Sequence, residues 1–215
     1  MRGVLISLEG IDFSGKSLQG KLLYERLVRD WAGGKQELVL QFREPGGTRI
    51  SERVREILLD RNLTEMHPVT ELLLYSAARS QLVAEKIIPA LKTGKVVLCD
   101  RFHDSSTAYQ GYGRNLPLEV VEKAHSIATH GIVPDLTLVF DLPPEVAEKR
   151  RIQAGRDRDR MEAETGQFYR RVRQGFLAIA QKEPERVVVL RADRDVDEIA
   201  EEVWQRVLHV LPEPP

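Results

Sequence analysis

Five short apolar runs punctuate the chain, at 4–8, 37–42, 95–99, 136–141 and 186–190. Each is rich in Val, Leu and Ile and nearly continuous in apolar residues. A strand with one wet face alternates apolar and polar residues, whereas a strand covered on both faces does not. The runs therefore predict strands of a parallel sheet with helices packed on either side. Helical spacing fills the gaps. Leu18, Leu22, Leu23, Leu27 and Trp31 predict a helix from Lys16 to about Ala32, and a second runs from near Pro68 to about Leu91. Leu118, Val121 and Ala124 mark a third, opened by Pro117. Phe168, Val172, Phe176 and Ile179 mark a fourth, and Ile199, Val203 and Val207 the last. Strand–helix alternation of this kind predicts an α/β fold with a doubly wound, five-stranded parallel sheet, which binds ligands at the carboxyl ends of its strands.

Composition narrows the class. The 215 residues suffice for one substantial core, and 42% hydrophobic with 30% charged residues suits a soluble globular enzyme rather than a disordered chain. A net charge of −1 gives no general attraction to nucleic acid or an anionic membrane, so any functional basic groups must act locally. Met1-Arg2-Gly3 leads straight into an apolar strand without a signal peptide, and no run approaches the length of a membrane span. Cys99 is the only cysteine, which excludes an intrachain disulfide and reads as a small buried hydrophobe. The histidines at 67, 103, 125, 130 and 209 show no metal-ligand spacing. Together these features point to the cytoplasm. Pro212 to Pro215 reads as a fraying tail.

The chemistry begins at Gly10-Ile11-Asp12-Phe13-Ser14-Gly15-Lys16-Ser17, a G-x-x-x-x-G-K-S run between a predicted strand and a predicted helix. Such a loop turns its backbone N–H groups around phosphates, and the helix N-terminus adds partial positive charge. Lys16 is placed to reach the outer phosphates and the Ser17 hydroxyl to ligate Mg²⁺. The third strand ends in Asp100-Arg101, which reads either as a Mg²⁺-linked carboxylate beside a phosphate-binding arginine or as a strand-end salt bridge. The second strand runs into Arg43-Glu44-Pro45-Gly46-Gly47-Thr48, a tight turn at the same sheet edge. Tyr75 and Arg79, four apart, share a helix face and either grip a flat heterocycle or form a core tyrosine beside a surface arginine. From Arg150 to Glu164 the chain carries Arg150, Arg151, Arg156, Arg158 and Arg160 with Asp157 and Asp159 around Gly155, and no apolar stripe after Ala154. A solvated loop and a lid that brings arginines onto phosphates both remain open for it.

The set GIDFSGKS, REPGGT, LYSAARSQL, DRF with SSTAYQGYGR, PDLTLVFDL and a late DRME resembles the bacterial thymidylate kinase family, in order and spacing, from about residue 4 to 193. The resemblance implies a P-loop nucleotide kinase architecture, a single domain over 1–215 with a mobile lid at about 150–164, and usually a homodimer. It implies transfer of the γ-phosphoryl group of ATP to dTMP, giving dTDP, with Mg²⁺. It further implies that Gly10 to Ser17 hold the ATP phosphates, with Ser17 and Asp100 at the metal. Asp12 meets the sugar 3′-OH of dTMP, and Arg43 and Arg101 lie near its phosphate. Tyr75, where phenylalanine is usual, stacks on thymine. Arg79 bonds the thymine O4, Ser106 meets the base, and Tyr109 crowds the sugar 2′ position. Arg191-Ala192-Asp193 reads as an adenine-side loop.

One departure has a consequence. The family loop usually carries Gly-Ala where this chain has Phe13-Ser14. Some members place an arginine at the position of Phe13, and phenylalanine cannot supply that charge. The catalytic cation is therefore expected from the lid: Arg156, Arg158 or Arg160, beside Lys16 and Arg101. A kinase of another nucleoside monophosphate is the nearest rival. A GTP-binding switch would carry N-K-x-D, which does not occur here, and an inactive scaffold would not need Lys16, Ser17, Asp100 and Arg101 together.

Overall fold

The computed structural model describes residues 2–155 and 159–213. β1 (Val4–Glu9) leads through the glycine-containing bend into α1 (Lys16–Arg26), which continues as a wider turn over Leu27–Trp31. β2 (Val39–Arg43), α2 (Arg49–Leu59) and α3 (Pro68–Leu82) follow. α3 passes through a wider turn, Val83–Ile87, into α4 (Ile88–Lys92). Pro89 has no N–H to give the carbonyl of Glu85, which favours the widened turn before it. Next come β3 (Val96–Asp100), α5 (His103–Ser106) with a wide-turned extension over Thr107–Gly113, α6 (Leu118–Ala128) and β4 (Leu136–Asp141). α7 (Pro144–Gln153), α8 (Gly166–Lys182), β5 (Val187–Arg191) and α9 (Val196–Leu208) complete the order.

All pairings are parallel, in the order β2-β3-β1-β4-β5. The five predicted strands are all present, with ends shifted by up to two residues. Alternation along each strand divides the core between the two faces. Ile6, Leu8, Leu98, Leu138 and Leu190 pack on the side of α1, α8 and α9, while Leu5, Val97 and Cys99 pack with Leu82, Ile87 and Phe102 on the other. Each fully buried Leu or Ile contributes about 1.5–3 kcal/mol. Cys99 is buried as expected.

Register fixes the site. Leu8 pairs with Asp100, and Arg43 also pairs with Asp100, so the bend after β1, the Asp100-Arg101 pair and the Glu44–Thr48 turn emerge at one edge.

Three expectations need correction. Leu18 is 48% exposed and lies off the buried stripe of α1, which is Lys16, Gln19, Gly20 and Leu23. The helix is rotated so that Lys16 faces inward, and Gly20 lets it approach Gln41 and Leu8, which a β-carbon would meet at 3.2 and 3.7 Å. Second, α2 follows directly on the Gly46-Gly47 turn, where only the turn was expected; Thr48 caps it by accepting from the Ser51 N–H. Third, the arginine-rich segment is not uniformly a loop. Arg150 and Arg151 lie in α7, and Met161 is buried despite the missing stripe. Arg156 and Arg158 lie outside the described residues.

Candidate active site

The glycine-containing bend is shaped by backbone conformation. Gly10 has φ 140°, and a β-carbon there would lie 2.7 Å from the Phe140 carbonyl oxygen, so only glycine fits. Gly15 has φ 92°. Phe13 also lies in the left-handed region, at φ 62°, a conformation that disfavours any side chain. Its ring packs against the core and lines a cavity of about 370 Å³ bounded by α7, the start of α8 and Tyr169. Arg150 braces the bend from outside: one guanidinium nitrogen donates to the Phe13 carbonyl (3.3 Å) and the other to Ala192 (2.9 Å), just past β5. The arginine that the sequence grouped with the lid thus joins the bend to the predicted adenine-side loop.

Lys16 is buried, its Nζ 3.7 Å from Asp12 Oδ1. Burial and the nearby Arg101 charge lower its pKa, against the opposing pull of Asp100, Asp12 and Glu9. The Ser17 hydroxyl donates to Asp100 Oδ2 at 2.6 Å. The predicted metal pair is therefore in contact, between the first turn of α1 and the end of β3.

Arg101, also at positive φ (75°), joins the bend to the next cleft. Its Nη1 donates to the Gly10 carbonyl (2.9 Å) and Ser105 Oγ (3.1 Å); its Nη2 donates to Asp12 Oδ1 (2.7 Å) and the Tyr109 hydroxyl (3.0 Å). Burial works against ionisation of Asp12, but Arg101 and Lys16 outweigh it and hold the pKa at about 2. Asp12 is an anion at neutral pH, suited to accepting a hydrogen bond and not to donating a proton.

A second cleft opens beside Asp12 and Arg101, with Tyr75, Ser106, Tyr109 and Pro45 among its lining. Arg79 lies behind this lining, 1% exposed. Its Nε donates to Glu44 Oε2 (2.6 Å), its Nη1 to Ser106 Oγ (3.1 Å) and its Nη2 to the Phe102 carbonyl (3.0 Å). A core tyrosine beside a surface arginine is therefore not what forms; the arginine is the buried member. Burial pushes Glu44 up to about 7 even against the Arg79 charge. Arg43 stands outside the lining, 48% exposed and paired with Glu52 at 3.0 Å. Arg55 of α2 lines the cleft instead, donating to the Pro45 carbonyl at 3.0 Å. Arg160 is engaged elsewhere, with Nε on the Leu58 carbonyl (2.8 Å) and Nη1 2.7 Å from Glu71.

Glu9 is another group the sequence did not reveal. It ends β1, fully buried, accepting from Phe102 N–H (2.6 Å) and the Ser105 hydroxyl (2.5 Å). Burial, with the Asp104 charge, pushes its pKa up to about 8. A carboxylate closing an apolar strand immediately before Gly10 is the one signal that could have marked it.

The protein-family model described as thymidylate kinase matches residues 8–203. A thymidylate kinase of Pelotomaculum thermopropionicum is 50% identical over 215 residues, covering 97% of each chain. One from Caldanaerobacter subterraneus subsp. tengcongensis is 51% identical over 197 residues, covering 91% of this chain and 90% of its own. The crystal structure of thymidylate kinase from Ehrlichia chaffeensis superposes with a TM-score of 0.78 at 32% identity, covering 97% of this chain and 99% of that one. With the five-stranded parallel sheet and the glycine-containing bend already in place, these matches settle the family: the chain belongs to the thymidylate kinases.

Proposed function

We infer that the chain transfers the γ-phosphoryl group of ATP to dTMP, giving dTDP and ADP, as one nucleotide kinase domain over residues 1–215. The observation that carries this reading is the sharing of Asp12 and Arg101 between the phosphate bend and the adjoining cleft. Two nucleotides bound there meet end to end. Phosphoryl transfer depends on that positioning and on neutralising charge more than on covalent chemistry.

In this reading the amides of Gly10 to Ser17 and the Lys16 ammonium hold the ATP phosphates. Arg101 and Arg55 bind the acceptor phosphate, and Arg43 acts from the rim. Asp12, kept anionic, accepts from the sugar 3′-OH, Tyr75 stacks on thymine, and Tyr109 crowds the 2′ position. Arg79 orients Ser106 and retains two N–H groups beyond its three protein contacts for the base. Of the three lid arginines, Arg160 is committed to protein partners, which leaves Arg156 and Arg158 as the candidate catalytic cations.

The donor set fits Mg²⁺. Ser17 and Asp100 offer hard oxygens 2.6 Å apart, and among the described residues no group of three or more His, Cys, Asp or Glu could hold a metal. A site of so few protein ligands suits a cation that keeps water and substrate phosphates in its shell. Ser17 and Asp100 would hold the ion, which neutralises phosphate charge when bound.

A homodimer is part of the proposal. Ile50 and Ile57 of α2, Leu73 of α3 and Ile127 of α6 are exposed apolar residues on helices that pack through α3, and a second copy would cover them. Among the described residues no helix is long and apolar enough to cross a membrane, and we place the enzyme in the cytoplasm.

The test is ADP release with ATP and Mg²⁺ across dTMP, dUMP, dCMP, dGMP and AMP. dTMP is expected to be preferred. A purine preference would defeat the assignment.

A further inference from the structure

α3 carries Glu71, Tyr75 and Arg79 at intervals of four, on one stripe of the helix. Arg79 lies behind the acceptor cleft and Tyr75 lines it. Glu71 takes no part in the site described above, yet its side chain is 1% exposed and four donors converge on it. Gln110 Nε2 (2.8 Å) and Arg114 Nε (3.1 Å) reach Oε1; Arg114 Nη2 (3.0 Å) and Arg160 Nη1 (2.7 Å) reach Oε2. Glu164 takes the other arm of Arg114. Burial opposes ionisation of Glu71, but the hydrogen bonds and charges of Arg114, Gln110 and Arg160 prevail and lower its pKa.

The cluster reaches the cleft through the turn at 159–164. Arg160 is held on one side by Glu71 and on the other by the Leu58 carbonyl at the end of α2. Its neighbours Asp159 and Met161 line the acceptor cleft. The Met161 carbonyl accepts from the Tyr169 hydroxyl (3.1 Å), which lies 3.5 Å from Asp12 Oδ2. Met161 is the one residue of this turn in the hydrophobic core, so the polar contacts of Arg160 must help to fix the rest. Buried ionic clusters often add little net stability over apolar packing, and in some proteins they serve to fix geometry instead.

We propose that Glu71 is a positioning residue for the acceptor nucleotide: gripping Arg160 and Arg114, it sets the 159–164 turn as the outer wall of the cleft. The proposal rests on reading that cleft as the dTMP site. It moves Arg160 from the transferring cations to the framework of the acceptor site.

The test is initial-rate kinetics, with dTMP and ATP varied separately, on Glu71→Gln, Arg160→Met, Arg160→Lys and the double variant Glu71→Gln/Arg160→Met. Amide hydrogen exchange of 159–164 is followed in parallel, with and without dTMP. Glu71→Gln and Arg160→Met should each raise KM for dTMP by about tenfold, while kcat and KM for ATP stay within about threefold. The effect of the double variant should fall short of the product of the two single effects, because the singles share the Glu71–Arg160 contact. Arg160→Lys should recover part of the loss. Exchange at 159–164 should be faster in unliganded Glu71→Gln, and dTMP should no longer slow it. A folded Glu71→Gln with wild-type KM for dTMP overturns the proposal. So does a fall in kcat at constant KM for Arg160→Met, which would return Arg160 to the chemistry. If Glu71→Gln does not fold, equal wild-type-like KM values for the two Arg160 variants overturn it. A wild-type enzyme inactive on dTMP defeats the underlying reading instead, and exchange at 159–164 in unliganded Glu71→Gln still reads the clamp.

Discussion

The two halves of the site are built by opposite means. The glycine-containing bend is eight consecutive residues, and its shape comes from backbone conformation at Gly10, Phe13 and Gly15. The second cleft draws Glu44, Arg55, Tyr75, Arg101, Ser106 and Met161 from separate segments, and buried ion pairs hold it. A bend made of amides tolerates change in most side chains. A cleft made of buried charges fails when one partner is lost, because the other stays desolvated and unpaired.

The largest effect should come from breaking the cleft. Arg79→Met leaves Glu44 buried without its cation and should destabilise the fold by about 3–5 kcal/mol in urea titration at alkaline pH, and by less below pH 7, where the carboxyl takes up a proton. A loss under about 1 kcal/mol would mean that the Glu44–Arg79 pair does not hold the cleft. In the bend, Lys16→Ala should leave the urea midpoint nearly unchanged and cut kcat by about 10²–10³-fold, the cost of losing one preorganised charge donor.

The same contrast explains what the sequence revealed. The bend, the strands and the Asp100-Arg101 pair are local in sequence, so spacing and apolar runs exposed them. Arg79 was legible as a site residue but not as a buried one, because Glu44 lies 35 positions away. Glu9 hid within an apolar strand, and its partners Phe102 and Ser105 lie more than 90 residues on. Arg55 was missed although Ile50, Val54, Ile57 and Leu58 of α2 recur at helical spacing, because nothing local ties Arg55 to a turn ten residues before it. Arg160 looked like a lid arginine because nothing in the local pattern pointed to Glu71.

Smaller effects separate the carboxylates by pH in the ligand-free protein. Glu9 has its folded pKa raised from 4.5 to about 8, so the folded state binds the extra proton and stability falls as pH rises between these values. Asp12 has its folded pKa lowered from 3.8 to about 2, so its contribution is present above 3.8 and lost as pH falls toward 2. Urea midpoints across pH should show Glu9→Gln flattening the fall between pH 4.5 and about 8, and Asp12→Asn the loss between pH 3.8 and about 2. The reverse assignment would contradict the burial account. Smallest of all, Phe13→Gly should be more stable than Phe13→Ala by about 1 kcal/mol, since both remove the ring but only glycine relieves the left-handed backbone. Equal stabilities would mean that the bend carries no strain at Phe13.

The most direct measurement is a crystal structure with a non-hydrolysable ATP analogue and dTMP bound together. The account predicts the triphosphate wrapped by the amides of residues 10–17, with the dTMP phosphate at Arg101 and its base beside Tyr75. Electron density placing both nucleotides elsewhere, with the bend unengaged, would contradict it.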